Sequence, residues 1–139
     1  MWTTEYTAET SLSPGTVWAA LRDLHTGELT YEGADTFELH GPFAVGTELT
    51  LTPVGQDSFH STIVDLVENE TYADRTEFGD LVLTFRHTLT PIASGTRVTH
   101  RLEIDGESAD QVGPELGPQI SDDFPESMAA LFEQATLRA

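Results

Sequence analysis

Two segments in the second half of the chain alternate between apolar and polar residues with little sequence between them. Residues 81–89 are followed by a short PIASG connection and then by residues 96–104. Alternation of this kind places one set of side chains on each face of a strand. Because so short a connection joins antiparallel neighbours, the two segments predict a β-hairpin with one apolar face.

The same alternation predicts five more strands, and a helix separates the first of them from the rest. These strands are predicted over residues 2–9, 37–39, 47–52, 59–67 and 72–78. The turns between them are short and rich in glycine and proline, so neighbouring strands should again be antiparallel. The helix is predicted from Ser13, a capping residue followed by Pro14, with Val17 and Leu21 at helical spacing on its apolar side.

After Gly106 the pattern becomes helical. A single apolar stripe at spacings of three and four is formed by Ile120, Phe124, Met128, Leu131, Phe132 and Ala135. Pro114 and Pro118 should interrupt this region, and Pro125 should kink the helix or start its last segment, because proline lacks an N–H. A curved sheet with one apolar face needs a cover, and this helix is the only large amphipathic element left. The pattern predicts an α+β fold in which a curved antiparallel sheet of about seven strands wraps around a long C-terminal helix.

The composition excludes several classes of protein. The 139 residues are expected to form a single domain, 1–139, around one hydrophobic core. The chain has no cysteine, no apolar run long enough for a membrane span and no basic-then-apolar start. We therefore expect no disulfide, no membrane span, no signal peptide and a cytoplasmic location.

The charge is strongly unbalanced. Twenty-four carboxylates face six basic residues, all of them arginine, and the formal net charge is −18. Such a chain repels phosphate backbones and anionic lipid surfaces, so nucleic-acid binding is disfavoured. The acidity is consistent either with a solvated surface or with adaptation to high salt, where repulsion between carboxylates is screened.

Four segments that span nearly the whole chain carry a family resemblance. They are TAETSLSPGTVWAALRDL, GPFAVGTELTLTP, LTPIASGTRVTHRLEIDG and LGPQISDDFPESMAALFEQA. They resemble the START-like helix-grip (SRPBCC) superfamily, in particular its polyketide cyclase/dehydrase and lipid-transport branch. The resemblance implies a helix-grip fold with a hydrophobic cavity between the sheet and the C-terminal helix. It leaves the function open, because that superfamily contains carriers, cyclases, hydratases, hormone receptors and chaperone-associated domains.

Two histidines lie among the apolar residues of the predicted hairpin. His87 shares a strand face with Phe85, and His100 shares one with Leu102, so both rings should point to the buried side. If the connection places His87 opposite His100, then Phe85 faces Leu102. Opposed side chains lie about 5 Å apart at Cβ. Desolvation and mutual repulsion should then lower the pKa of both imidazoles.

Three interpretations of the histidine pair remain open. The rings could be core residues satisfied by each other, a threonine or water; they could orient a phenol, carbonyl or carboxylate in a cavity; or they could begin a metal site. A metal site normally needs three or four ligands, and His60 is the only obvious third imidazole, so we expect no metal. His25 and His40 lie in or near predicted loops, where surface exposure is the simpler expectation.

Two further polar groups are candidates for chemistry. Tyr72, Asp74 and Thr76 share one face of a predicted strand. If that face points inward, Asp74 would be a carboxylate on the cavity wall and a candidate general base, although an edge position near solvent is the simpler explanation. Tyr31 lies in the irregular segment expected near the cavity entrance.

The leading hypothesis is binding of a small hydrophobic ligand, whether aromatic, polyketide-like or lipid, without a cofactor. The candidate ligand-binding residues are Phe85, His87, His100, Leu102, Tyr72, Ile120, Phe124, Met128 and Phe132. One alternative is a cofactor-independent cyclase, aromatase or dehydratase in which His87, His100 or Asp74 moves protons. A second alternative is a partner-binding module resembling heat-shock ATPase activators, whose acidic surface would suit a basic partner. No residue pattern specifies an oligomeric state.

Overall fold

The computed structural model describes residues 1–139, which form seven strands and three helices. In chain order these are β1 (Trp2–Thr10), α1 (Pro14–Thr26), β2 (Thr36–Leu39), β3 (Glu48–Thr52), β4 (Phe59–Val67), β5 (Thr71–Phe78), β6 (Leu81–Ile92), β7 (Gly95–Gly106), α2 (Ala109–Ser121) and α3 (Phe124–Arg138). The strands form one antiparallel sheet in the order β1-β7-β6-β5-β4-β3-β2. This confirms the predicted α+β helix-grip fold.

Helix α1 begins and ends where the local sequence requires. The Ser13 side chain accepts a hydrogen bond from the Thr16 backbone N–H, and Pro14 occupies the first turn, where its missing N–H costs nothing. The helix ends at Gly27, whose φ of 84° is in the left-handed region and whose N–H donates to the Leu24 carbonyl. These caps fix the register of the helix, which buries Val17 and Leu21 against the sheet.

The C-terminal helical region consists of two helices joined at Asp122 and Asp123. Pro125 lies in the first turn of α3, which confirms that it starts the last segment. The expectation that Pro114 and Pro118 interrupt the helix was wrong, since α2 continues through both. The two prolines are four residues apart and exposed, so the carbonyls they leave unpaired lie on the solvent side. None of the three helices has the length and hydrophobicity that a membrane span requires.

The helices all cover the same side of the sheet, which we call the inner face, and they divide it between two apolar clusters. The first cluster joins α1 and α3 to the sheet and includes Val17, Leu21, Tyr72, Leu89, Val98, Met128 and Leu131. The second lies under α2 and includes Leu81, Leu83, Leu102, Ile104 and Ala109, with Phe85, Ile120 and Phe124 packed around it. Along β6 and β7, His87 and His100 lie between residues of the first cluster and residues of the second.

Helix α2 lies very close to the edge strand β1. Gly113 and Gly117 are buried against the indole of Trp2, and a Cβ atom at either position would overlap that ring. Two glycines one helical turn apart therefore set the distance between α2 and the sheet.

Candidate functional site

The polar centre of the inner face is a row of rings across four strands. The register pairs Tyr6 with His100, His100 with His87, and His87 with Tyr72. The predicted pairing of the two histidines, with Phe85 opposite Leu102, is confirmed. Their ring centroids lie 4.3 Å apart with an interplanar angle of 87°, so the edge of one imidazole faces the plane of the other.

His25 joins this row from helix α1, and its expected exposure was wrong. Its side chain is only 4% exposed, and its Nδ1–H donates to the Leu21 carbonyl at 2.8 Å. The ring centroid lies 4.3 Å from that of Tyr72 and 5.2 Å from that of His87. The sequence did contain a signal, because His25 follows Val17 and Leu21 at spacings of four on the buried side of the helix.

Both hairpin histidines carry a ring nitrogen without a hydrogen-bond partner. These atoms are Nδ1 of His87 and Nε2 of His100, and both are fully buried. Burial lowers the pKa of His87 well below its ordinary value, and the nearby His100 and His25 lower it further. Burial, with a smaller effect of His25, lowers the pKa of His100 to about 4. Both rings are therefore neutral at pH 7.

Asp74 lies on the inner face, contrary to the expected edge position near solvent. Its side chain is 6% exposed, and its Oδ2 accepts a hydrogen bond from the Tyr72 hydroxyl at 2.8 Å. Burial raises the pKa of Asp74, although His25 and the hydroxyl groups of Tyr72 and Ser61 oppose the shift. Burial also raises the pKa of Tyr72, and the neighbouring Asp74 carboxylate adds to the effect. The pair combines a buried carboxyl group with a phenol that stays protonated.

Ser61 on β4 provides a third buried polar atom without a partner. The register pairs Ser61 with Thr76 of β5, and both side chains are buried. The Ser61 hydroxyl has no partner at hydrogen-bond geometry, although it lies close enough to Asp74 to oppose the rise in the pKa of that carboxyl group. Nothing in the sequence of β4 distinguished Ser61 from an ordinary strand serine, because its isolation depends on which residues the neighbouring strands supply.

The inner face is not covered completely at its centre. Phe85 and His87 lie on an interior strand and point toward the helices, yet both are only half-buried. A side chain in that position keeps accessible surface only if the covering helices stand away from it. Phe124, the first residue of α3, is also half-buried, and its ring centroid lies 6.1 Å from that of His100. The accessible part of the inner face thus adjoins the junction of α2 and α3.

The predicted ligand-binding residues divide into two groups by exposure. Phe85, His87, Ile120, Phe124 and Phe132 are half-buried, whereas Tyr72, His100, Leu102 and Met128 are buried. All of them lie in or beside the two apolar clusters or the polar row, and their ligand-binding role stays a prediction. Two surface depressions lie elsewhere: one of about 400 Å³ between the β5–β6 turn and α2, and one of about 420 Å³ between α1 and α3.

Acidic groups lie beside the α2–α3 junction. Burial raises the pKa of Asp35, and the charge of Asp123 raises it further. Burial also raises the pKa of Tyr31, and the charges of Asp35 and Asp123 raise it further. The irregular segment after α1 therefore brings a phenol and a carboxyl group close to the carboxyl group at the helix junction.

His40 and His60 do not belong to the row of rings. His60 and His40 are exposed, and both contact the Thr50 hydroxyl, His40 through Nε2 at 2.7 Å. No group of three or more histidine, aspartate or glutamate side chains has an arrangement that could hold a metal ion.

The comparisons with known proteins agree with this fold. A family model described as polyketide cyclase/dehydrase and lipid transport matches residues 1–137. Searching the curated proteins gives no match. The Zhui aromatase/cyclase from Streptomyces sp. R1128 has a TM-score of 0.76 at 13% identity, covering 99% of this chain and 94% of that chain.

Two further solved structures are similar. Norcoclaurine synthase from Thalictrum flavum, in complex with dopamine and hydroxybenzaldehyde, has a TM-score of 0.74 at 14% identity, covering 99% of this chain and 87% of that chain. Ara h 8.0201 has a TM-score of 0.75 at 17% identity, covering 97% of each chain. At these identities the likeness establishes a common fold.

Proposed function

The chain belongs to the polyketide cyclase/dehydrase and lipid-transport family, and from this we propose that it binds a small, largely apolar ligand between the inner face and the α2–α3 junction. The ligand is aromatic or polyketide-like. Phe85, Phe124 and Ile120 contact its apolar part. His87 and His100 orient its polar groups.

The observation that carries this proposal is the set of three buried polar atoms without partners. A buried group that makes no hydrogen bond costs about 1–3 kcal/mol, and native interiors contain few of them. Here Ser61 Oγ, His87 Nδ1 and His100 Nε2 all lie on the inner strand face. Three such costs are large beside a net stability of about 5–15 kcal/mol, which favours a role in recognition over a role in packing.

The chemistry of the site suits a neutral polar group on an apolar body. A neutral imidazole has one nitrogen that donates and one that accepts, so His87 and His100 can bind a hydroxyl or a carbonyl group. The half-buried rings of Phe85 and Phe124 offer apolar surface next to these nitrogens. Sites of this composition, mainly apolar with a few placed polar groups, are typical of small-molecule binding.

A pair of variants on one helix tests the location. We expect 2-naphthol to bind the wild-type protein in calorimetry, and Ile120→Trp, which adds bulk beside the inner face, to abolish binding. Gln119→Trp is the matched control, because Gln119 is the adjacent residue of α2, is exposed and lines the separate depression beside the β5–β6 turn. Equal binding by Ile120→Trp would contradict the proposed site, provided that circular dichroism shows both variants folded.

An enzymatic role is the second candidate, favoured by the hydrogen bond between Tyr72 and Asp74. A buried carboxyl group with a raised pKa is suited to proton transfer near neutral pH, and here it lies beside neutral imidazoles. In this role the site would hold a flexible polyketide chain in a reactive shape while His87, His100 or Asp74 moves protons.

The enzymatic role is tested with a linear polyketide thioester as substrate. His100→Phe should abolish cyclisation or dehydration while the thioester still binds. Thr99→Val is the control, because Thr99 is the next residue along β7 and points to the opposite face. Unchanged turnover by His100→Phe would remove His100 from the mechanism.

A further inference from the structure

The cationic groups of this protein all lie away from the inner face. Five of the six arginines form salt bridges with carboxylates, and the amino terminus pairs with Asp110. The sixth, Arg75, is exposed and alternates along β5 with the inward residues Asp74 and Thr76. There is no lysine in the sequence. No permanent positive charge is available to a ligand on the inner face.

The ionisable groups that do face the ligand space give it no positive charge either. His25, His87 and His100 all have lowered pKa values because of burial, so the three imidazoles are neutral at pH 7. The remaining ionisable groups are Tyr72, which carries no charge, and Asp74, which is neutral or negative. An anionic ligand group would find neutral or like-charged neighbours only.

The carboxyl groups near the α2–α3 junction and the net charge of the whole molecule also disfavour an anionic ligand. Asp123 at the junction and Asp35 in the adjacent segment place carboxyl groups beside the accessible part of the inner face. The formal net charge of −18 adds a negative potential over the surface, which lowers the local concentration of anions. Approach and final binding are thus both unfavourable for a negatively charged molecule.

We infer that the ligand bound on the inner face is uncharged, and that carboxylates, phosphates and sulfates, including free fatty acids and phospholipid headgroups, are excluded from it. This inference rests on the proposed function and narrows its ligand class. The ligand is an apolar molecule anchored by hydroxyl or carbonyl groups, as in a phenol or a neutral polyketide. The physical reason is desolvation, because an ion leaves water at low cost only when an opposite charge replaces its hydration.

Three probes of one shape separate charge from size. These are 2-naphthol, which is neutral at pH 7, 2-naphthoate, which is an anion, and 2-naphthylmethylammonium, which is a cation. Calorimetry on the wild-type protein at pH 7 should give 2-naphthol an affinity at least about 30-fold higher than that of 2-naphthoate. The ammonium probe should also bind more weakly than 2-naphthol, because its desolvation is compensated only to the extent that Asp74 is ionised.

Asp74 is the carboxyl group on the inner face, and substituting it tests whether its charge contributes to the exclusion of anions. Asp74→Asn keeps the shape of the side chain and removes the like charge, so it should raise the affinity for 2-naphthoate relative to 2-naphthol by several-fold. Asp57→Asn, on an exposed residue between β3 and β4, changes the net charge equally and should leave that ratio almost unchanged.

The outcomes separate two claims, that a ligand binds on the inner face and that this ligand is uncharged. If 2-naphthoate binds as tightly as 2-naphthol and Ile120→Trp abolishes both, the ligand site stands and the exclusion of anions is wrong. The claim that the ligand is uncharged is wrong if the ammonium probe binds best. If none of the three probes binds at millimolar concentration, the proposed function itself fails and the inference fails with it.

Discussion

The two faces of the β6–β7 hairpin differ in how their polar groups are paired. The outer face carries most of the polar side chains and pairs its arginines with carboxylates, whereas the inner face carries few. On the outer face, Arg97 pairs with Glu9 at 2.8 Å, and Arg101 pairs with Glu5 and Glu103. These groups are satisfied and in contact with solvent. On the inner face, His87 and His100 each keep a buried nitrogen without a partner.

The difference shows that neither set of polar residues adds much to stability, and that only the inner set carries a cost. Exposed ion pairs contribute little, because water already solvates both partners and the side chains lose entropy when they are held together. Buried polar atoms without partners are costly, and an apolar residue of similar size would avoid that cost. The inner face thus keeps an energetic cost that the outer face does not have, and the proposed ligand would offset it.

The largest contrast between the faces should appear when neighbouring residues are truncated. Leu102→Ala removes a fully buried side chain from the inner face and should lower the free energy of unfolding by about 2–5 kcal/mol. Arg101→Ala, one residue away on the outer face, should lower it by less than about 1 kcal/mol. Urea denaturation of both variants measures the difference, and equal losses would contradict the assignment of faces.

The next largest effect is the pH dependence contributed by the buried imidazoles. Because the folded-state pKa of His100 is about 4 and the unfolded value is about 6.5, only the unfolded state binds this proton between those pH values. Stability is therefore lost as the pH falls through that window, by about 3 kcal/mol for His100 alone, since one pKa unit corresponds to about 1.4 kcal/mol.

His100→Phe should remove this part of the pH dependence. The difference in unfolding free energy between wild type and His100→Phe should shift in favour of the variant as the pH falls from about 6.5 to about 4. Thr99→Val, on the outer face, should show a constant difference over the same range. A pH-independent difference for His100→Phe would mean that His100 is not buried in its neutral form.

A smaller effect of opposite sign is expected at Asp74. Its raised pKa means that the folded state holds this proton more tightly than the unfolded state, so the group lowers stability as the pH rises. Asp74→Asn should therefore stabilise the protein at pH 7, and the gain should disappear in acid. Thermal unfolding at both pH values measures it, with Asp57→Asn as the control; a loss at pH 7 would show that Asp74 is needed as a carboxylate.

The smallest effect should be that of an outer-face ion pair. Arg97→Ala removes the partner of Glu9 and should cost less than about 1 kcal/mol at low salt and almost nothing in molar salt. The wild-type protein itself should become more stable as salt screens its net charge of −18. Denaturation at two salt concentrations tests both statements, and a large salt-independent loss would require a structural role for Arg97.

The hairpin was predictable because its geometry is local. Alternation fixed which side chains share a face, and a slip of one residue would have turned an apolar set outward. Only registers two residues away therefore competed with the one that pairs His87 with His100. Pro125 likewise predicted the start of α3 from backbone chemistry alone.

The rest of the site depends on contacts between distant elements. His25 is buried because α1 packs over Tyr72 and His87, and no spacing within the helix reveals which strand residues it will meet. The inward position of Asp74 depends on β5 lying between β4 and β6, where Tyr72 and Asp74 point toward α1 and not toward solvent. Pro114 and Pro118 were misjudged because their effect depends on whether their side of the helix faces water.

The close approach of α2 to Trp2 has a consequence for the substitutions that α2 can tolerate. Because Gly113 and Gly117 present only hydrogen atoms to the indole, one added methyl group at either position would require the helix or the Trp2 ring to shift. The seating of α2 on the strand edge is therefore sensitive to two positions that lie outside the row of rings.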